Sequence, residues 1–455
     1  MIFFNSLSVM KILVYSFIIT LFGGTYMFGF HFFGIHIYAF RIVLVLGGIY
    51  FFFTKTLFLF ESKFIKKVFY FLLLWLTYAI ISLIWAPDIH LGIHDIVYIF
   101  IGIMIFLFTY KIFNSNRIIS NFYYSWVFSL IFCTIFSFWE IETAKHFISS
   151  FSNELKELSE AYQNHYMPIF TFDNPNHFAI YLCLSICILM YFNFKRINIF
   201  LNTLLIVSSV FLLFQIETRL GVVFIYFSFF IYLIFEFLRC KKNYLLNNSI
   251  GFLVVILIMS ISLLNHKFVG IKLLNEIPKS SVVISDTSTN TNSTNFNSAS
   301  SKVSSITNTS EVVFDSSSIS IRKNLMLNGL NYFKSSFLMG VGAGGFQSNV
   351  MKGNVKFPVL GISNPHNYFI EVLSQYGLII TLLYVSIFFY ISYFVIKKII
   401  SKKIKGEYYF VLLLMVCFVI MSNANSSFLS LPINWFMFSL IIIFSNRLLK
   451  NENKC

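Results

Sequence analysis

Charge is scarce in this chain. Only 11% of its 455 residues are Asp, Glu, Lys or Arg, against about 25% in a typical soluble domain. So little charge cannot clothe a water-facing globule, and this excludes an ordinary soluble protein. Acid is the scarcer half, with 18 Asp and Glu against 33 Lys and Arg. The five aspartates (Asp88, Asp95, Asp173, Asp286 and Asp315) never form an Asp-x-Asp pair. We therefore expect no metal, no cofactor and no nucleotide-sugar donor. Cysteine is sparse too: Cys133, Cys183, Cys187, Cys240, Cys417 and Cys455. None falls in an expected outer loop and none has metal-site spacing, which excludes a disulfide framework. Cys183 and Cys187, one helical turn apart, read as packing residues.

What fills the space is apolar. The hydrophobic share is 58% and the mean hydropathy +0.79. The apolar residues come in runs of about 20, enough to cross about 30 Å of hydrocarbon as a helix. Within lipid the backbone must satisfy its own hydrogen bonds, so helices or closed barrels are the alternatives. Runs such as Leu204–Leu213 and Val411–Met421 lack the alternation of a barrel strand. The fold class expected is an all-α integral membrane protein of about twelve transmembrane helices.

A net charge of +15 would suit nucleic acid, but the basic residues are in the wrong places for it. They cluster between apolar runs: Lys55 to Lys67, Lys111 and Arg117, Lys195 and Arg196, Arg239 to Lys242, Lys397 to Lys405, and Arg447 to Lys454. Positive charge is retained on the cytoplasmic side. Placing every cluster inside yields spans at 12–30, 34–53, 68–86, 93–110, 121–139, 175–193, 198–215, 219–238, 249–265, 370–396, 408–428 and 432–449. Both termini then lie in the cytoplasm, and the chain sits in the cell's inner (cytoplasmic) membrane. The first run is long enough to be an anchor rather than a cleaved signal. Three regions follow: 1–265 with spans one to nine, 266–369 as one large extracytoplasmic loop, and 370–455 with spans ten to twelve.

Two outer segments exceed a minimal connector. From Glu140 to Asp173, Glu154, Glu157 and Glu160 interleave with Phe151, Leu155 and Leu158, a pattern suited to a surface helix. In the large loop, 280–318 is rich in Ser, Thr and Asn and reads as a disordered spacer. Order is expected again over 320–346. There Ile321, Leu325 and Tyr332 share a helix face that would suit the membrane interface. Four glycines follow, Gly340, Gly342, Gly344 and Gly345, which demand a tight turn or a close approach. No Gly-Lys-Ser/Thr follows them, so this is not a nucleotide loop.

Three residues on the outer side could carry chemistry. Arg219 sits at the edge of the eighth span, Arg322 begins the loop helix, and His366 precedes the tenth span. Each has a plain alternative: lipid snorkelling or pairing with Glu217 for Arg219, a solvated face for Arg322, a helix-start turn for His366. Together they suit something more specific. Two guanidinium groups can hold two phosphates, and a histidine can take a proton from a hydroxyl. That set fits a lipid-linked pyrophosphate donor and a sugar hydroxyl acceptor.

The stretch HNYFIEVLSQYGLIITLLY, with His366-Asn367 followed by Gly377, resembles the signature of the O-antigen ligase and O-antigen polymerase superfamily. So do NPNHFAIYL at Asn174–Leu182, ETRLG around Arg219, and the run from Arg322 through the glycine turn to Phe346. The likeness covers residues from about 170 to 440 in order. It departs at Ile380, where the family often has a second glycine. The resemblance implies a metal-independent glycosyltransferase that moves an oligosaccharide from undecaprenyl pyrophosphate to an acceptor. Arg219 and Arg322 would bind the pyrophosphate, and His366 would act as base or orient the acceptor. Asn367, Asn174 and Asn176 would position sugar hydroxyls, although Asn174 with Pro175 also reads as a helix cap. Glu371, five residues after His366, would point elsewhere on a regular helix. The acceptor would be a lipid-linked repeat unit for a polymerase, lipid A-core for a ligase, or a protein hydroxyl. A polymerase of O-antigen, capsule or exopolysaccharide is preferred, with a chain-length regulator as a candidate partner. The rival from another class is an oligosaccharide flippase, which would place ionisable groups at mid-membrane and show internal repeats.

Overall fold

The computed structural model describes residues 6–22, 30–32, 35–54, 60–113, 116–143, 145–146, 167–172, 174–216, 218–239, 318–359, 361–401, 406–424 and 427–452. The helices are α1 (Ser6–Phe22), α2 (Ala39–Phe53), α3 (Lys63–Ser82), α4 (Ile89–Phe113), α5 (Asn116–Thr143), α6 (Pro175–Phe194), α7 (Ile199–Gln215) and α8 (Arg219–Arg239). After them come α9 (Ser318–Ser335), α10 (Gly345–Met351), α11 (Tyr368–Ile400), α12 (Gly406–Met421) and α13 (Pro432–Glu452). A two-stranded antiparallel ladder, β1 (Phe30–Phe32) with β2 (Ile35–Ile37), precedes α2. The twelve-span reading had no place for these strands.

Helices stand at eleven of the expected spans. Six of them are long and apolar enough to cross a membrane, and five are shorter apolar helices. The span expected at 249–265 lies outside the described residues, as do the spacer at 280–317 and the acidic segment 147–166. The chain is a multi-pass, helical membrane protein.

Burial sorts the helices. α6 is apolar on every side and 83% of its span is inside the protein, as is that of α13. A helix that is hydrophobic all round belongs in the middle of a bundle. α6 packs against α7 and α12, and α13 against α4 and α12. At the other extreme only 28% of the α11 span is covered. Its exposed Ile379, Leu382, Phe389 and Tyr393 face where lipid would be. Cys183, Cys187 and Cys417 are buried where α6 meets α12, as expected of packing residues.

At one end of the bundle lies a smaller layer built on α9. Ile321, Leu325 and Tyr332 share a face as expected, but that face does not turn to lipid. Phe346 and Val350 of α10, with Val359, cover it. Hydrogen bonds fasten the segment that returns after α10. Asn328 Nδ2 donates to the Phe357 carbonyl at 2.7 Å, and its Oδ1 accepts from the Lys356 and Phe357 amides at 3.0 Å. The Tyr332 hydroxyl donates to the Asn354 carbonyl at 2.8 Å. The amphipathic pattern was real, but its partner is the chain itself, and no local spacing could tell protein from membrane.

Candidate functional site

Several helix ends meet beneath this layer. The last turn of α5 is tied down by Glu140, which is fully buried. Its Oε2 accepts from the Ile169 and Phe170 amides at 3.1 and 2.8 Å, and its Oε1 pairs with His146 at 3.2 Å. That anchors the segment entering α6. There Asn174 caps the helix, its Oδ1 accepting from the Asn176 amide at 2.8 Å, with Pro175 in the first turn. Asn174 is thus committed to capping, while Asn176 is half-buried beside it. The first turn of α6 then presents His177, close enough to His366 for their charges to act on each other.

His366 lies between buried Pro365 and the start of α11, with φ +50°. A non-glycine residue in this left-handed region costs about 1–2 kcal/mol, and such strain gathers at functional sites. Asn367 caps α11: its Oδ1 accepts from the Ile370 amide at 3.0 Å, and its Nδ2 donates to Asn423 Oδ1 at 2.5 Å. Its oxygen and one amide proton are therefore already engaged. Glu371 is buried and turned away from His366. Its Oε1 accepts from the Ser427 hydroxyl at 2.5 Å and its Oε2 from the Phe428 amide at 2.9 Å. It braces the connector between α12 and α13.

Arg219 opens α8 and is exposed; Arg322, in the second turn of α9, is half-buried. The fold brings these two together from distant parts of the chain. Burial, and then the charge of Arg219, hold the Arg322 guanidinium below its ordinary pKa. Two cations within electrostatic reach of each other, one of them half-buried, repel each other. A ligand with two negative charges would relieve that cost. Glu217, a conceivable partner for Arg219, lies outside the described residues.

The glycine turn is a bracket. Gly340, Gly342 and Gly344 have φ of +86°, +90° and +66°, and each lies against backbone where a Cβ would collide. Its six amides all have partners. Gly340 N donates to Ser336 Oγ, Val341 N to the Ser374 carbonyl, Gly342 N to the Gln375 carbonyl and Gly345 N to the Gly342 carbonyl. Ala343 N donates to Ser82 Oγ at 3.0 Å, and Gly344 N to Asp95 Oδ2 at 2.9 Å. No amide remains to cradle a phosphate.

The same contacts explain Gly377. Its φ of +73° and ψ of −171° break α11. The freed carbonyls of Ser374 and Gln375 receive the glycine turn, and the Leu378 amide donates to the Leu338 carbonyl at 2.9 Å. Ile380, where the family often has glycine, is buried in the core. Asp95 also accepts from the Tyr376 hydroxyl at 3.1 Å. Asp95, Glu140 and His177 escaped the sequence reading. An ionisable group inside an apolar run was the one available signal for the first two.

With this geometry in view, comparison with known proteins is informative. The fold is that of a multi-pass helical membrane protein with a half-buried arginine, Arg322, on its α9 layer and a strained histidine, His366, at the start of α11. Residues 178–385, which include Arg219, Arg322, His366 and Gly377, match the family model described as O-antigen ligase. The chain is also 24% identical over 396 residues to the teichuronic acid biosynthesis protein TuaE of Bacillus subtilis (strain 168), covering 85% of this chain and 73% of the relative. These likenesses support the O-antigen ligase and O-antigen polymerase superfamily as the chain's place. No solved structure matches it.

Proposed function

We propose that this protein is a metal-independent, extracytoplasmic glycosyltransferase that extends a lipid-linked polysaccharide. The donor is an oligosaccharide on a polyprenyl pyrophosphate and the acceptor is a hydroxyl of another lipid-linked repeat unit. What supports this reading is that Arg322 is half-buried and within reach of the charge of Arg219, with His366 held at positive φ at the start of α11. In the reaction, the acceptor oxygen attacks the anomeric carbon and the bond from that carbon to the pyrophosphate oxygen breaks. Polyprenyl pyrophosphate leaves with the electron pair, and the acceptor's proton goes to His366. Direct displacement inverts the anomeric centre. Fixed cations facing the leaving group are worth several kcal/mol in a dry site. General-base help adds on the order of 10²–10⁴ in rate. A role in polysaccharide biosynthesis accords with the relative named for teichuronic acid biosynthesis.

A second reading is favoured by the description of the matching family, O-antigen ligase. The finished glycan would then go to a different acceptor, such as lipid A-core. One experiment separates the readings. The purified protein is placed in liposomes with a lipid-pyrophosphate-linked repeat unit, without an ion gradient and with a chelator present. A ladder of longer lipid-linked glycans, lost in His366→Ala, supports the polymerase. Transfer only when lipid A-core is added supports the ligase. Translocation without bond formation overturns both and favours a flippase.

A further inference from the structure

The apolar face of α9 is consumed by α10 and the segment that returns after it, yet the turn that follows α9 is strongly apolar and open. Phe337 is 88% exposed, and Leu338 and Met339 are about half exposed. Phe337 and Leu338 both hold positive φ, +52° and +67°, which side-chain-bearing residues avoid. The backbone is pinned in that shape from two directions. The Leu338 carbonyl accepts from the Leu378 amide of α11 at 2.9 Å, and the Met339 carbonyl from the Tyr78 hydroxyl of α3 at 2.6 Å. The fold thus spends strain to aim large apolar side chains outward.

What they meet is given by their neighbours. Ile84, 85% exposed, follows α3 directly, and Trp85 beside it donates its indole N–H to the Gly340 carbonyl at 3.1 Å. Below the turn, Ile80 and Ile81 on α3 and Ile379 on α11 are exposed as well. The apolar belt of two spans therefore continues without a break onto the turn. Behind it lies a cleft of about 330 Å³ whose lining includes Trp85, Phe337 and Met339 together with Ser335, Ser336 and Asn349. Lys334 and Lys352, both exposed, flank it. An exposed apolar tip with an aromatic ring, hydroxyls and cations close by is the mix of groups that a bilayer interface accommodates.

We infer that the Phe337–Met339 turn is a membrane wedge, seated in the lipid leaflet on the side of the arginine helix. It fixes the end of α9 at the bilayer surface. Arg322 stands about 20 Å away along the same helix, so the wedge and Arg322 are held at a fixed separation. Under the proposed function, on which this last consequence rests, the wedge would hold the arginine helix against the leaflet that carries the lipid pyrophosphate.

The test reads lipid contact directly and needs no glycan. Phe337→Cys, in a background with Cys240→Ser and Cys455→Ser, is labelled with an environment-sensitive nitrobenzoxadiazole dye and reconstituted in phosphatidylcholine–phosphatidylglycerol vesicles. The wedge requires blue-shifted emission, at least twofold quenching by lipid carrying a shallow doxyl group, and little quenching by iodide. The same dye on Lys323→Cys, on the exposed side of α9, should show the reverse. Water-like emission at Phe337→Cys, quenched by iodide and indifferent to doxyl lipid, overturns the proposal. Should that variant fail to fold, Met339→Cys makes the same measurement with the same two outcomes. Glycan transfer by the unmodified protein, assayed separately, shows whether the functional reading stands or falls independently.

Discussion

Arg322 is the residue on which the functional reading leans most. Its guanidinium is half-buried beside a second cation, and a protein seldom keeps such an arrangement for stability alone. Lysine preserves the charge but loses the planar, two-pronged donor set. Arg322→Lys is therefore expected to lower kcat/KM about tenfold or more, and Arg322→Ala about 10²–10³-fold. Both should leave the melting temperature in detergent within a few degrees of the parent, measured with lipid-linked oligosaccharide as donor. Equal activity in all three proteins would remove Arg322 from the site. Arg219 and His366 drew notice in the sequence because polar groups are costly at a span edge, and Arg322 because it opens the helix expected after the spacer. Asp95 and Glu371 were not understood, because their partners are far along the chain. Gly344 lies 249 residues from Asp95, and Phe428 lies 57 residues from Glu371. No short motif encodes such a meeting.

The elements themselves were largely readable, since an apolar run of about 20 residues has few other fates. The break in α11 was not, because the apolar pattern runs straight through Gly377 while the backbone does not. Alanine there meets the Leu338 and Met339 carbonyls in a region of φ/ψ space open essentially to glycine alone. Gly377→Ala should destabilise the protein by about 2 kcal/mol or more and release the glycine turn, seen as faster proteolysis between α9 and α10. Glycine's backbone freedom is the point, so Ile380→Ala, a cavity in the core, should lower stability without opening that turn. Glu371 offers a second check at this scale. It fastens the α12–α13 connector to α11 through Ser427 and Phe428. Glu371→Ala leaves a buried amide without its acceptor and should cost about 1–3 kcal/mol. Glu371→Gln keeps an acceptor oxygen and should cost less, by thermal unfolding in detergent. If both variants lose catalysis while retaining full stability, Glu371 is more than a brace.

On the scale of the whole molecule, the two ends of the bundle differ in kind. One carries the α9 layer, the arginine pair and His366. The other holds the described members of the basic clusters, where Lys195 meets Glu407 at 3.0 Å and Lys450 meets Glu61 at 2.6 Å. These exposed pairs add little stability, but the cations around them govern insertion. Lys and Arg in short loops are retained on the cytoplasmic side, and this rule predicts that the α9 end faces outward. Orientation is what joins the site to its proposed substrate, because a glycan destined for export must be joined where it emerges. Cysteines placed one at a time decide the matter in intact cells with a membrane-impermeant maleimide. Lys323→Cys and Lys352→Cys should react, whereas Lys195→Cys and Lys398→Cys should react only after the membrane is opened. The inverse pattern would put the arginine pair in the cytoplasm. There nucleotide-linked donors are at hand and a dedicated pyrophosphate-lipid site would have no evident use, so the polymerase and ligase readings would fall together.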